Sequence, residues 1–287
     1  MDMRGVEYVK AKMPKLGLGT WQVRNESIPA AVDAALASGY RFIDTAQIYG
    51  NEAAIGKALK EALPKYNLQR ADIFITSKLA PANQGPGAEK AIEQSLKNLQ
   101  TDYLDLLIIH WPGSSNPSES PKNKELRKQS WETMEKFYDE GKLKAIGVSN
   151  YTERHLQELL GHAKVHPAVN QCEYHVHYQT NSLVDYCKKN QIHFQAYSSL
   201  GSPEGRKKLA ADPQVIAMAE KYKISVHVLL LAWAINQDMS VLPRSTQKAH
   251  IEENLKAASV KLDPADVKSL LSDTADQKYC WDPNVVA

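Results

Sequence analysis

One recurrence constrains this chain more than any other feature. A short apolar or β-branched run is followed by a stretch with apolar residues three and four apart, and the pair repeats along almost the whole length. The runs are Leu16-Gly17-Leu18, Arg41-Phe42-Ile43, Ile73-Phe74-Ile75-Thr76 and Leu104-Asp105-Leu106-Leu107-Ile108-Ile109. They continue with Ala145-Ile146-Gly147-Val148, Ala168-Val169-Asn170, His193-Phe194-Gln195-Ala196 and Ser240-Val241-Leu242. Most are continuous rather than alternating, which suits parallel strands covered on both faces. Helical spacing falls at 28–38, 51–63, 88–99, 124–140, 152–160, 183–189, 214–222, 226–236 and 250–257. Gly39 and Gly141 stand where helices would stop, and Pro213 where one would start. About eight strand–helix units predict a closed (β/α)8 TIM barrel, in one domain over residues 1–287.

The rival is an open, doubly wound dinucleotide-binding sheet. Its fingerprint needs a third glycine after the first strand, but the chain reads Gly17-Leu18-Gly19-Thr20-Trp21-Gln22. Gln22 cannot offer the close backbone approach that glycine gives a pyrophosphate, so that fold is rejected. A Gly-Lys-Ser/Thr phosphate loop is also absent.

Bulk properties exclude several classes. A formal net charge of +2 gives no reason to expect nucleic acid or an anionic membrane as partner. The longest apolar run, Val228 to Ile235, is well short of the ~20 residues that span a bilayer. Met1 to Gly5 carries no apolar h-region, and Cys172, Cys187 and Cys280 form no Cys-x-x-Cys pair. The expectation is a cytoplasmic protein with reduced thiols.

In a barrel enzyme, chemistry gathers where strands end. Those positions hold Asp44, Lys78, His110, Ser149-Asn150, Gln171, Tyr197 and Arg244-Ser245, converging on one face. A lysine ammonium beside a tyrosine stabilises the phenolate and makes the tyrosine a better proton donor. An aspartate keeps such a lysine charged and in place, and a histidine can orient a substrate oxygen. This set protonates an oxygen while hydride arrives at the neighbouring carbon. No side chain supplies hydride, so a nicotinamide cofactor is implied.

With these residues the chain resembles the aldo-keto reductase family. The resemblance rests on Gly17-Leu18-Gly19-Thr20-Trp21, Asp44-Thr45-Ala46 with Tyr49-Gly50-Asn51-Glu52, Thr76-Ser77-Lys78-Leu79 and Ile109-His110-Trp111-Pro112. Further matches are Ile146-Gly147-Val148-Ser149-Asn150, Asn170-Gln171, Ala196-Tyr197-Ser198-Ser199-Leu200-Gly201-Ser202 and Leu242-Pro243-Arg244-Ser245. The family implies NADPH-dependent reduction of small aldehydes and ketones by a monomer, with no metal. It implies Tyr49 as proton donor, Lys78 as its pKa-lowering partner, Asp44 as the lysine's counter-ion, also near the nicotinamide ribose, and His110 as the group that orients the carbonyl. It further implies that Ser149, Asn150 and Gln171 hold the carboxamide and that Tyr197 stacks on the nicotinamide. Ser198, Leu200 and Ser202 would line the pyrophosphate, and Arg244, Ser245 and Thr246 the 2′-phosphate. Glu253 and Asn254 would meet the adenine, and Thr20 completes the cofactor set.

One position departs. NADPH-selective members usually carry arginine where this chain has His250, and histidine is mostly uncharged at neutral pH. Arg244 still offers a fork for the phosphate, so NADPH is expected by a narrower margin, with NADH less favoured.

Four other features need readings. Glu173, His175 and His177 would share a strand face if the strand continued, yet they are taken as structural rather than metal-ligating. Trp21 and Trp111 follow strand ends and are read as substrate-pocket walls, with Trp281 able to fold over the pocket. Gly17 and Gly19 serve close packing near the barrel mouth. The polar stretch from Trp111 to Ser130 is read as a surface loop, either mobile near the pocket or a plain solvated connector.

Overall fold

The computed structural model describes all 287 residues. Its strands are β1 (Leu18–Gly19), β2 (Phe42–Asp44), β3 (Phe74–Leu79), β4 (Leu106–Ile109), β5 (Ile146–Ser149), β6 (Val169–Glu173), β7 (His193–Tyr197) and β8 (Ser240–Val241). All pair in parallel, each with the next in sequence. The sheet also closes on itself. Gly17 N–H donates to the Val241 carbonyl and Val241 N–H to that of Lys15, both at 2.9 Å, and Gly19 N–H reaches Pro243 at 3.1 Å. A side chain at Gly19 would put its Cβ 2.6 Å from the Leu242 carbonyl oxygen, so the seam requires glycine there.

The outer helices are α2 (Ile28–Ser38), α3 (Glu52–Lys65), α4 (Ala88–Leu99), α5 (Lys122–Asp139), α6 (Glu153–Leu160), α7 (Asn181–Lys189), α9 (Pro213–Tyr222), α10 (Val226–Ile235) and α11 (Lys248–Leu255). Before β1 lies α1 (Arg4–Lys12), between β7 and α9 lies α8 (Ser202–Ala210), and after α11 lies α12 (Pro264–Ser269). Helix α4 shows why the pattern was readable: Ala88, Ile92, Ser95 and Leu99 are its buried residues, one inward stripe. In α10, apolar but for His227, Val228 to Ala234 are all buried. The main core fills the space between strands and helices. A smaller cluster brings Val9 of α1 against Phe42, Phe74, Leu106 and Ile108, so α1 plugs the bottom of the barrel.

The stretch 111–130 differs from the expected surface loop. Helix α5 begins at Lys122, and Asn123, Arg127 and Ser130 are buried within it. The polar composition misled because these groups are satisfied inside the fold. Asn123 accepts the Ser114 N–H at 3.0 Å and donates to the Pro117 carbonyl at 2.9 Å, tying residues 114–118 to the helix.

Candidate active site

At the C-terminal mouth of the barrel, β2 ends in Asp44 and β3 carries Lys78. The Lys78 ammonium is wholly buried and meets the Asp44 carboxylate at 2.5 Å. It also donates to the Thr45 carbonyl at 2.9 Å and to the Tyr49 hydroxyl at 3.3 Å. Tyr49 ends the 3-10 turn Gln47–Tyr49, which is pinned on both sides. Gln47 accepts from Ala80 N–H and Asn83 and donates to the Ala91 carbonyl and Ser95. Asn51 donates to the carbonyls of Thr20 and Val23 and accepts from Thr45. The phenol is therefore carried by a loop that behaves as part of the scaffold.

Burial pushes the Tyr49 hydroxyl above the ordinary tyrosine value, and the Lys78 ammonium pulls it back. Burial outweighs the lysine, so the phenol holds its proton. Burial opposes the charge on Lys78, yet Asp44 and Tyr49 more than compensate and raise it. The Asp44 carboxyl is raised by burial against the pull of Lys78 and Gln171. Burial, then the charge of Lys78, holds His110 well below the ordinary histidine value, so its ring is neutral. That ring stands edge-on to Tyr49, centroids 5.6 Å apart.

Around this centre the polar strand ends are interlocked. Ser149 donates to the Gln171 carbonyl at 2.7 Å, and Asn150 to the His110 carbonyl at 3.0 Å. Tyr197 donates its hydroxyl to Asn150 at 2.7 Å. Gln171 reaches across the barrel from β6 to Asp44 at 2.8 Å. Its amide also donates to Gln195 at 2.6 Å, Gln195 donates to Ser240 at 2.9 Å, and Ser240 meets His193 at 3.0 Å. A polar column thus runs down the interior from Lys78 to His193. Both N–H groups of Gln171 are committed, and no protein donor reaches its Oε1.

The residues expected along a cofactor form two further groups. Ser198 and Ser202 bond each other at 2.6 Å beside β7, with Leu200 between them packed on the core. Past β8, Arg244, Thr246 and His250 are exposed, Ser245 and Glu253 half-buried and Asn254 buried. No acidic side chain pairs with Arg244. Thr20 is buried, and its hydroxyl donates to the Asp44 carbonyl at 2.9 Å, so it joins the ends of β1 and β2.

The description of the aldo/keto reductase family matches residues 15–272. The chain is 41% identical over 275 residues to D-galacturonate reductase of Hypocrea jecorina, covering 91% of this chain and 87% of that protein. It is 35% identical to aldo-keto reductase family 1 member A1 of Homo sapiens, covering 93% and 88%. Among solved structures, an aldo-keto reductase from a Medee basin deep-sea metagenome library superposes with TM-score 0.85 at 38% identity, covering 96% of each chain. This chain belongs to the aldo/keto reductase family.

Membership makes it an NAD(P)H-dependent oxidoreductase on a (β/α)8 barrel. Beside the aldo/keto reductase centre, Trp111 stacks on His110 at 6.2 Å, and Trp281 meets Trp111 edge-on at 4.8 Å. Trp21 is 42% and Trp281 47% exposed, both on the solvent side. The histidine pair differs from a strand-face arrangement. Strand β6 stops at Glu173 and the chain turns back, His175 and Tyr178 exchanging backbone bonds. His175 meets Glu173 and His177 meets Asp212, so the two rings bind different carboxylates. No group of three or more His, Cys, Asp or Glu is placed to hold a metal ion. Sequence reading missed Gln195, Ser240 and His193, whose positions in apolar runs are the one trace of an interior polar column.

Proposed function

We propose that this chain reduces aldehydes and ketones to alcohols with NADPH, Tyr49 donating the proton. The contact series from Asp44 through Lys78 to the Tyr49 hydroxyl carries the reading, because it serves proton transfer to an oxygen. Tyr49 keeps its proton through burial, and Lys78 stabilises the phenolate left when that proton moves to the carbonyl oxygen. Neutral His110, beside the phenol, donates a hydrogen bond that orients the same oxygen. Placing these groups around one carbonyl is worth about 7–11 kcal/mol of barrier, and the general acid about 10²–10⁴ in rate.

The residues suit the dinucleotide. The partnerless Gln171 Oε1 matches the amino group of a carboxamide, with Ser149 and Asn150 beside it. The Tyr197 ring, fixed by its bond to Asn150, offers a face for the nicotinamide. When bound, NADPH supplies the hydride. Ser198, Leu200 and Ser202 line the pyrophosphate. Arg244, exposed and without an acidic partner, holds the 2′-phosphate with Ser245 and Thr246. Glu253 and Asn254 meet the adenine, with His250 beside them, and Thr20 supports the mouth from below. NADH, lacking the 2′-phosphate, is the weaker substrate. Trp21, Trp111 and Trp281 form the apolar walls of the carbonyl pocket.

The three cysteines are unpaired, which supports a cytoplasmic protein, and the reading is of a monomer. The test is Tyr49→Phe, followed by NADPH absorbance with a generic aldehyde. Turnover is lost while NADPH binding, read by fluorescence titration, stays near wild type. Full turnover in Tyr49→Phe would sink the assignment.

A further inference from the structure

The stretch from Glu173 to His177 has no part in the proposed reduction chemistry, yet it is built around a costly object. The Glu173 side chain is fully buried. A buried carboxylate is tolerated when donors saturate it. Glu173 has four: Lys278 Nζ at 2.6 Å, Tyr279 N–H at 2.6 Å, Cys280 N–H at 3.2 Å and His175 Nε2 at 3.1 Å. Three of the four come from one C-terminal strap, residues 275–281.

The neighbouring residues grip the same strap. Tyr178 pairs antiparallel with Asp276, Gln179 N–H reaches the Ala275 carbonyl, and Gln277 N–H reaches that of His177, the last two at 2.8 Å. The His175 ring stacks on Tyr279 with centroids 5.0 Å apart. His177 bonds the Tyr279 hydroxyl at 2.9 Å through Nδ1 and Asp212 at 2.8 Å through Nε2. Asp212 in turn caps α9. On the far side Tyr279 lies against Gly205 of α8, where a Cβ would fall 2.1 Å from the ring. Two consecutive strap amides on one carboxylate fix the chain direction at Tyr279 and Cys280. The next residue is Trp281, set against Trp111.

We propose that Glu173, aided by His175 and His177, is a positioning residue that clamps the C-terminal strap so that Trp281 stands as a wall of the carbonyl pocket. Its effect reaches substrate recognition through Trp281 and leaves proton transfer alone. The kinetic side rests on the carbonyl-reductase reading; the structural side does not.

Glu173→Gln keeps the shape but replaces one acceptor oxygen by an amino group that faces donors. Lys278 is 15% exposed in the clamped strap and so is shielded from trypsin. In Glu173→Gln, release of residues 279–287 by trypsin, read by mass spectrometry, is expected to be about tenfold faster as local opening becomes easier. The KM for 4-nitrobenzaldehyde rises about tenfold, with kcat and the KM for propanal within about twofold. In a Trp281→Ala background, Glu173→Gln adds nothing further to the KM for 4-nitrobenzaldehyde. Unchanged cleavage, additive effects on KM in that background, or an equal fall in kcat for both aldehydes would each overturn the clamp. Should Glu173→Gln not fold, His177→Phe removes the Tyr279 and Asp212 bonds without touching Glu173 and carries the same expectations. Should wild type oxidise NADPH with neither aldehyde, the carbonyl-reductase reading falls, and trypsin release alone decides the clamp.

Discussion

Replacing Lys78 by Met turns a buried ion pair into a buried lone carboxylate. Lys78 is 0% and Asp44 5% exposed, and without the ammonium Asp44 keeps one side-chain donor, Gln171 at 2.8 Å. Holding that carboxylate ionised costs about 3–5 kcal/mol. Taking a proton instead costs about 1.4 kcal/mol for each pH unit above the ordinary aspartate value, or roughly 5 kcal/mol at pH 7.5. The two routes are similar, so the variant should lose about 3–5 kcal/mol at pH 7.5. Burial already raises the Asp44 carboxyl, and removing Lys78 raises it further. A carboxyl raised in the fold favours folding below its unfolded value, and that advantage is lost as pH rises through the folded one. The deficit against wild type should therefore shrink on going from pH 7.5 to pH 5, by up to about 1.4 kcal/mol per unit. Urea unfolding followed by circular dichroism at the two pH values measures it. Turnover should fall by about 10²–10⁴. Lys78→Met with Asp44→Leu should recover most of the stability and none of the turnover. Wild-type stability at pH 7.5 in Lys78→Met, or a deficit independent of pH, would refute the reasoning.

Three further outcomes are expected. His155 and His193 are both held down to about 4, chiefly by burial. The unfolded chain protonates them first, so stability should fall as pH drops from about 6.5 towards 4, by about 2–3 kcal/mol for each histidine; a flat urea midpoint over that range would contradict it. His250→Arg should widen the ratio of kcat/KM for NADPH over NADH by about tenfold, since a permanent cation joins Arg244; a narrower ratio would count against the proposed phosphate end. Gly19→Ala forces a Cβ to 2.6 Å from the Leu242 carbonyl oxygen and should cost about 1–3 kcal/mol, seen as a Tm lower by several degrees; an unchanged Tm would show that the seam relaxes freely.

Much of the fold was legible because continuous apolar runs and helical stripes report burial directly. Helix α4 was bounded at Ala88 and Leu99 by its stripe alone. Helices α1, α8 and α12 were missed for separate reasons. Helix α1 buries only Gly5 and Val9, because it touches the barrel end-on. Helix α8 carries Pro203 and Gly205, which read as breakers until Tyr279 is seen lying on the glycine. Helix α12 has six residues, too few for a period to show. At the candidate site, strand ends displayed Asp44, Lys78 and His110, since a polar residue after an apolar run stands out. The strap was hidden because its partners lie about a hundred residues away in the chain. Local patterning carries no record of which carboxylate meets which amide.

The interior column links two ends of the molecule that are usually treated apart. His193, held neutral, can accept a hydrogen bond from the Ser240 hydroxyl, and Gln195 then presents its carbonyl to the Gln171 amide. Each group leans on the next, so a single apolar replacement leaves its neighbour facing a void without a partner. A change of all members together escapes that penalty, but it passes through Gln171 and reaches Asp44. Laboratory evolution of this barrel should therefore find the lower interior closed to stepwise change. Its floor and its polar mouth would have to be redesigned as one unit.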